Sequence, residues 1–160
     1  MQPTIVYWTY LPLDKPKNLT HVEIREAIEA AATEWNKCLA DYVIFKEGRG
    51  DLQIRLAFDD KINRKNNPGR IGECRRFNQP RSWEISFDIR EKWNMGGWRK
   101  LLGIGYDLRS TALHEFGHVI ELPHADRYDF IMHKDYNEQI KLSAEESKKY
   151  RDFYKYVNDC

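Results

Sequence analysis

Three of the five histidines in this 160-residue chain fall within eleven residues, in the run His114-Glu115-Phe116-Gly117-His118-Val119-Ile120-Glu121-Leu122-Pro123-His124. An α-helix turns once in 3.6 residues, so side chains four apart share a face and the imidazoles of His114 and His118 converge. Pro123 ends such a helix, after which the chain can fold back and bring His124 to the same point. Three imidazoles can hold a tetrahedral Zn2+ while leaving its fourth position to water, the coordination of a reactive site and not of a closed structural one. Glu115, beside the first ligand, can reach that water without binding the metal. Taken singly, a helical histidine is most often a surface or satisfied core residue. Three of five clustered around one glutamate are poorly explained that way.

The rest of the chain supplies a scaffold for such a helix. Thr4 to Tyr10 is rich in β-branched and aromatic residues and reads as a strand, followed by a bend at Pro12, Pro16 and Asn18. Thr20 and Glu23 have capping-box spacing, and Ile24, Ile28, Ala31, Trp35 and Leu39 recur at helical intervals, which predicts a helix over 21–39. Tyr42 to Lys46 and Leu52 to Phe58 read as strands. The segment Lys61 to Arg81 loses periodicity, carries seven basic residues against the single acid Glu73, and reads as a long basic loop. Trp83 to Phe87 alternates again, and Trp93 and Trp98 in the following connection are expected to cover the core. Asp107 is the expected N-cap of the histidine helix, which runs to about Glu121, and Ser143 with Glu146 opens a last helix to about Tyr156.

The length fits one domain, residues 1–160, with an upper part to about 124 and a lower part from 125. Basic and acidic residues number 26 and 25, so overall charge offers no case for nucleic acid or an anionic membrane, and a monomer is expected. No apolar run approaches the roughly 18 residues of a membrane helix. Met1 to Leu11 lacks the basic and apolar regions of a signal peptide. Cys38, Cys74 and Cys160 allow one disulfide with a free thiol, or three free thiols.

The run from His114 to His124 resembles the long zinc motif HExxHxxGxxH of the metzincin metallopeptidases. Met132, eight residues on, and Tyr136, four further, resemble the Met-turn and following tyrosine of the matrixin branch. Phe87-Asp88-Ile89-Arg90-Glu91-Lys92-Trp93 is similar to the matrixin segment FDxxExW, and Leu142-Ser143-Ala144-Glu145-Glu146 to the start of its C-terminal helix. The resemblance implies an α+β zincin-like fold: a twisted mixed sheet, two long helices of which one carries the zinc motif, the Met-turn and a C-terminal helix. It implies a secreted zinc endopeptidase acting on protein or peptide substrates. In it His114, His118 and His124 bind the metal, Glu115 is the general base, Met132 forms an apolar floor and Tyr136 lines a substrate pocket. An extended substrate would pair with the edge strand of the sheet.

The departures from the family pattern are specific. The motif glycine between the second and third ligands is Glu121 here, which burdens the turn leading to His124, with Asp126 the nearest substitute ligand. A gluzincin-like arrangement would instead use Glu138 or Glu145. The segment 22–113 has no histidine and Ser86 stands where a structural-zinc ligand is expected, so no structural zinc is predicted. Asp88 and Glu91 match calcium-binding positions, yet the Gly-Asp-rich loop that completes such a site is missing, so calcium is the lesser expectation. Lys134 replaces the proline of the pocket wall. A non-catalytic or latent zinc-binding module of the same fold is the competing function. The basic loop could favour acidic substrates, although exposed loops are commonly charged.

Overall fold

A computed structural model describes residues 2–97 and 101–159, so Trp98 and Cys160 lie outside the described residues. Strand β1 (Thr4–Tyr10) leads into α1 (His21–Leu39), whose start is fixed by the expected box: Thr20 N–H donates to Glu23 Oε2 at 2.7 Å and Glu23 N–H to Thr20 Oγ1 at 3.1 Å. β2 (Val43–Glu47), β3 (Gln53–Asp59), β4 (Gly72–Asn78) and β5 (Arg81–Asp88) follow. With β1 they form one sheet in the order β2-β1-β3-β5-β4. The first four in that order run parallel, and β4 pairs antiparallel with β5 as the edge strand. α1 is the crossover that a parallel β1–β2 pair requires. A two-stranded pair, β6 (Trp93–Asn94) and β7 (Tyr106–Asp107), precedes α2 (Leu108–Val119), and α3 (Ala144–Asp159) closes the fold. No helix among the described residues is long and apolar enough to cross a membrane.

The expected long loop over Lys61 to Arg81 is corrected here, because its second half is β4 hairpinned to β5. No β4 residue is buried, and the last three are exposed, so an edge strand of this kind carries no two-residue hydrophobic alternation to read. All five arginines of the segment are paired within the protein. Arg64 meets Asp88 and Glu91, Arg70 and Arg75 meet Glu73, and Arg76 and Arg81 meet Glu121. The charge of the segment is largely spent on the fold.

The core lies between the sheet and the two central helices. Ile24, Ile28, Trp35 and Leu39 of α1 are buried as their spacing predicts, and Trp35 Nε1 donates to Leu113 O at 2.8 Å, tying α1 to α2. Phe45 on β2 meets Phe116 on α2 edge to face at 4.9 Å. Trp93 is buried and packs on Phe58 and Phe87. Cys38 and Cys74 are free thiols.

At the end of β5 the fully buried Asp88 is enclosed by cations. Arg90 reaches it through its backbone N–H (2.9 Å), Nε (2.8 Å) and Nη2 (2.8 Å), and Arg64 through Nε (2.8 Å). Arg64 Nη2 also donates to Glu91 at 2.6 Å. Burial opposes the charge on Asp88, but the bonds from Arg90 and Arg64 outweigh it and hold the carboxyl below its ordinary value of 3.8. A pKa lowered by folding contributes stability that is present above the unfolded value and lost as pH falls through the folded one. Asp88→Asn is therefore expected to cost about 3 kcal/mol at pH 6. In urea unfolding its difference from wild type should shrink steadily below about pH 4; a difference independent of pH would show that the ion pairs contribute nothing.

Candidate metal centre

Asp107 caps α2 as predicted, accepting from Arg109 N–H at 3.0 Å while its carboxylate is gripped by the Arg109 guanidinium at 3.0 and 2.7 Å. Leu108, Ala112, Leu113, Phe116 and Val119 are buried in the core. His114 and His118 line an open cleft of about 500 Å3 on the other side. β4 forms one wall of that cleft and the segment from Ile131 to Asn137 the other. β4 sits directly on the helix: a Cβ added to Gly72 would meet Glu115 Oε1 at 2.8 Å and Thr111 Cγ2 at 2.9 Å.

The helix ends at Val119, before the expected Glu121, and Pro123 is not what stops it. Glu121 adopts φ 64°, the left-handed conformation that glycine favours. Its N–H bonds His118 O at 3.0 Å while Leu122 N–H bonds Gly117 O at 3.1 Å, the two bonds of a Schellman cap. Its side chain is held by Arg76 and Arg81 from the β4–β5 hairpin. The turn that glycine makes freely is thus made by a glutamate tethered at its far end, and His124 reaches the other two rings.

His118 Nε2 lies 3.1 Å from His114 Nε2 and 3.2 Å from His124 Nε2. Zinc bonds of about 2.0–2.1 Å in a tetrahedron place ligand nitrogens roughly 3.3 Å apart, so the spacing fits the ion. The protons are placed to match. His114 Nδ1 donates to Ile131 O at 2.7 Å and His118 Nδ1 to Leu122 O at 3.1 Å, which leaves the lone pair on Nε2 in both neutral rings. Burial, followed by the neighbouring imidazole, pushes His114 down to about 4; His118 and His124 are lowered for the same reasons. Among the described residues this is the group of donors that can hold a metal, and Asp126, Glu138 and Glu145 are not in it. Glu145 is paired with Arg127.

Glu115 is 5% exposed, lines the cleft, and has Oε2 without a hydrogen-bond partner. Burial pushes its carboxyl up to about 8, Arg70 draws it down and Glu73 adds to the rise. Met132 is fully buried beneath the helix; a Cβ on Gly117 would come within 2.2 Å of its sulfur. Tyr136 lines the cleft, accepts the Asp107 N–H at 2.6 Å and meets the Tyr106 ring edge to face at 5.0 Å. Ser86, in turn, donates to Asp59 at 2.8 Å.

Sequence reasoning missed one contributor. Glu146 is read there only as a capping residue, and it does accept from Ser143 N–H at 2.9 Å. Its other oxygen accepts the Ile131 N–H at 2.5 Å, and the Ile131 carbonyl is the one that orients His114. Nothing in the spacing of 131 and 146 signals that contact.

A mixed sheet over a helix that carries two of three convergent histidines, with a methionine packed beneath it, defines the metzincin fold. A profile of the Matrixin family matches residues 4–155, and the chain belongs to that family. It is 27% identical to stromelysin-3 of Xenopus laevis over 146 residues, covering 89% of this chain and 30% of that protein. It is 27% identical to human matrix metalloproteinase-20 over 123 residues, 74% of this chain and 24% of that one. Human matrix metalloproteinase-26 is 24% identical over 156 residues, with 91% and 57% covered. The chain spans less than a third of the length of the stromelysin-3 proteins it matches.

Two substitutions test this construction. At Glu121, glycine is expected to give a protein about 1 kcal/mol more stable than alanine, since both lose the tether and only alanine keeps a Cβ in the left-handed conformation; equal unfolding midpoints would remove the strain argument. Glu146→Ala is expected to weaken zinc binding about tenfold, measured by competition with a chromophoric chelator, through the loosened Ile131 peptide.

Proposed function

We propose that the chain is a zinc-dependent endopeptidase of the matrixin family, with His114, His118 and His124 as metal ligands and Glu115 as general base. The observation that carries this reading is the convergence of three imidazole Nε2 atoms beside a buried carboxylate with one oxygen unbonded. Bound there, zinc supplies Lewis acidity to the scissile carbonyl and to a water molecule. Glu115 Oε2 takes the proton of that water and hands it to the departing amine. A carboxylate raised towards neutrality by burial suits both tasks. An extended polypeptide enters along the edge strand β4, whose Gly72, Glu73 and Cys74 line the cleft. Tyr136 forms the wall opposite, held by the N-cap of α2, and Met132 stays out of reach of substrate as the floor beneath the rings.

Residues 1–160 act as one catalytic domain in this reading, monomeric, with a protein substrate and without a role for nucleic acid or membrane. The family points to a secreted enzyme. Calcium is not needed at Asp88 and Glu91, because guanidinium groups already neutralise both carboxylates.

Zinc-loaded protein is expected to cleave an unstructured polypeptide, to stop when the metal is chelated and to resume when zinc is restored. Glu115→Ala should keep its zinc and lose about 10^3-fold in kcat. Intact substrate at stoichiometric zinc would replace the enzyme by a binding module, and zinc retained at full affinity by His124→Ala would replace the third ligand.

A further inference from the structure

The turn that brings the third histidine to the other two is made by a residue ill suited to it. His124 lies beyond the end of α2 and is the exposed one of the three, so its ring is placed by the backbone on either side. After it, Ala125 N–H bonds Met132 O at 2.8 Å and Ala125 bridges to His133. Before it stands Glu121 at φ 64°, where a Cβ is strained and a glycine is not. Strain of this kind persists only where the surroundings hold the residue in place. The same turn carries the Leu122 carbonyl that accepts from His118 Nδ1 at 3.1 Å, so its relaxation would loosen two of the three rings.

Two elements distant in sequence hold it. From α3, the Tyr154 hydroxyl donates to Ile120 O at 2.6 Å. Burial, and after it the charge of Glu121, raise that hydroxyl above its ordinary pKa while Arg81 opposes them, so it stays protonated and able to donate. From the β4–β5 hairpin, the guanidinium groups of Arg76 and Arg81 both reach Glu121 Oε1, the second at 3.3 Å. Arg81 lies over the ring of the buried Trp83 at 5.4 Å, and Arg76 stands opposite Trp83 in the strand register. Arg76 also shares its strand with Gly72, Glu73 and Cys74, which wall the cleft.

We propose that Arg76 and Arg81 are positioning residues for the metal centre. Clamping Glu121 from the hairpin, they keep the turn in the conformation that delivers His124, and so do together what the glycine of the zinc motif does alone. The inference rests on the metal-binding reading of the three histidines. Both arginines and Glu121 are half-exposed, so salt screens the clamp. Zinc affinity thereby acquires a dependence on ionic strength that a glycine at position 121 would not confer.

The test measures zinc affinity, by competition with a chromophoric chelator, in wild type, Arg76→Gln/Arg81→Gln, Glu121→Gly and the combination of all three. The protein without the two arginines should bind zinc about fivefold more weakly than wild type. With glycine at 121 the same two substitutions should change nothing, because the turn then needs no clamp. Raising NaCl from about 0.05 M to about 1 M should weaken zinc binding by wild type about fivefold relative to Glu121→Gly in the same buffers. Glu121→Ala, which removes the clamp from its other end and leaves the hairpin intact, should lose affinity at least as much as the arginine variant and keeps the test open should that variant not fold. Unchanged affinity in the arginine variant and in Glu121→Ala overturns the clamp, and so does an equal loss with glycine at 121, which would assign the arginines to the hairpin alone. The two readings fail separately: zinc bound equally by all the variants removes the clamp only, whereas no zinc binding by wild type removes the metal centre and the clamp with it.

Discussion

The Nε2 lone pairs of His114 and His118, 3.1 Å apart with His124 Nε2 3.2 Å from the second, repel one another unless a cation lies between them, and the arrangement around the site follows from holding them there. The rings of His114 and His118 are fixed by carbonyls that accept their other nitrogen's proton, so neither can turn its lone pair away. Those carbonyls are themselves fixed. Leu122 is locked by the Schellman cap on the end of α2, and Ile131 by the buried Glu146 at the head of α3. Met132, next in the chain, fills the space under the helix that Gly117 leaves by having no side chain. The helix end, the turn at Met132 and the start of the last helix therefore form one mechanical unit around the site. Each piece limits how far the others can relax in the absence of a metal.

Elsewhere the fold substitutes guanidinium groups for other solutions. Asp88 would be an uncompensated buried charge without Arg64 and Arg90. Glu121 occupies a conformation that costs a non-glycine residue about 1 kcal/mol or more, and Arg76 and Arg81 restrain it from the neighbouring hairpin. That pair is exposed, so its worth lies more in fixing the turn than in raw stability. The arginine-rich segment between β3 and β5 is explained by these internal partners. A role for its charge in choosing acidic substrates loses most of its basis.

The helices were legible because their signals are local. Thr20 and Glu23 fix the start of α1 in four residues, and Asp107 fixes the start of α2. The convergence of His114 and His118 was legible because i, i+4 spacing on a helix is itself geometry. β4 was not, since an edge strand with half-buried arginines has no two-residue pattern, and its pairing with β5 is a property of the folded sheet. Glu146 was half legible: its capping role is written in Ser143 three residues before it, its contact with Ile131 is not. The glutamate in place of the motif glycine pointed to a turn under strain. The two arginines that hold it come from 40 and 45 residues away, a distance over which no pattern carries.

The missed strand is also what makes the cleft usable. Gly72 lets β4 lie against α2 at Glu115 and Thr111, closer than any side chain would permit. Close approach does two things at once. It excludes solvent from the Glu115 carboxylate, which raises its affinity for a proton, and it sets the edge strand of the sheet beside the three histidines. A chain that paired with this edge would have its own carbonyls carried across the three histidines by the register of the strand, without any side chain being recognised.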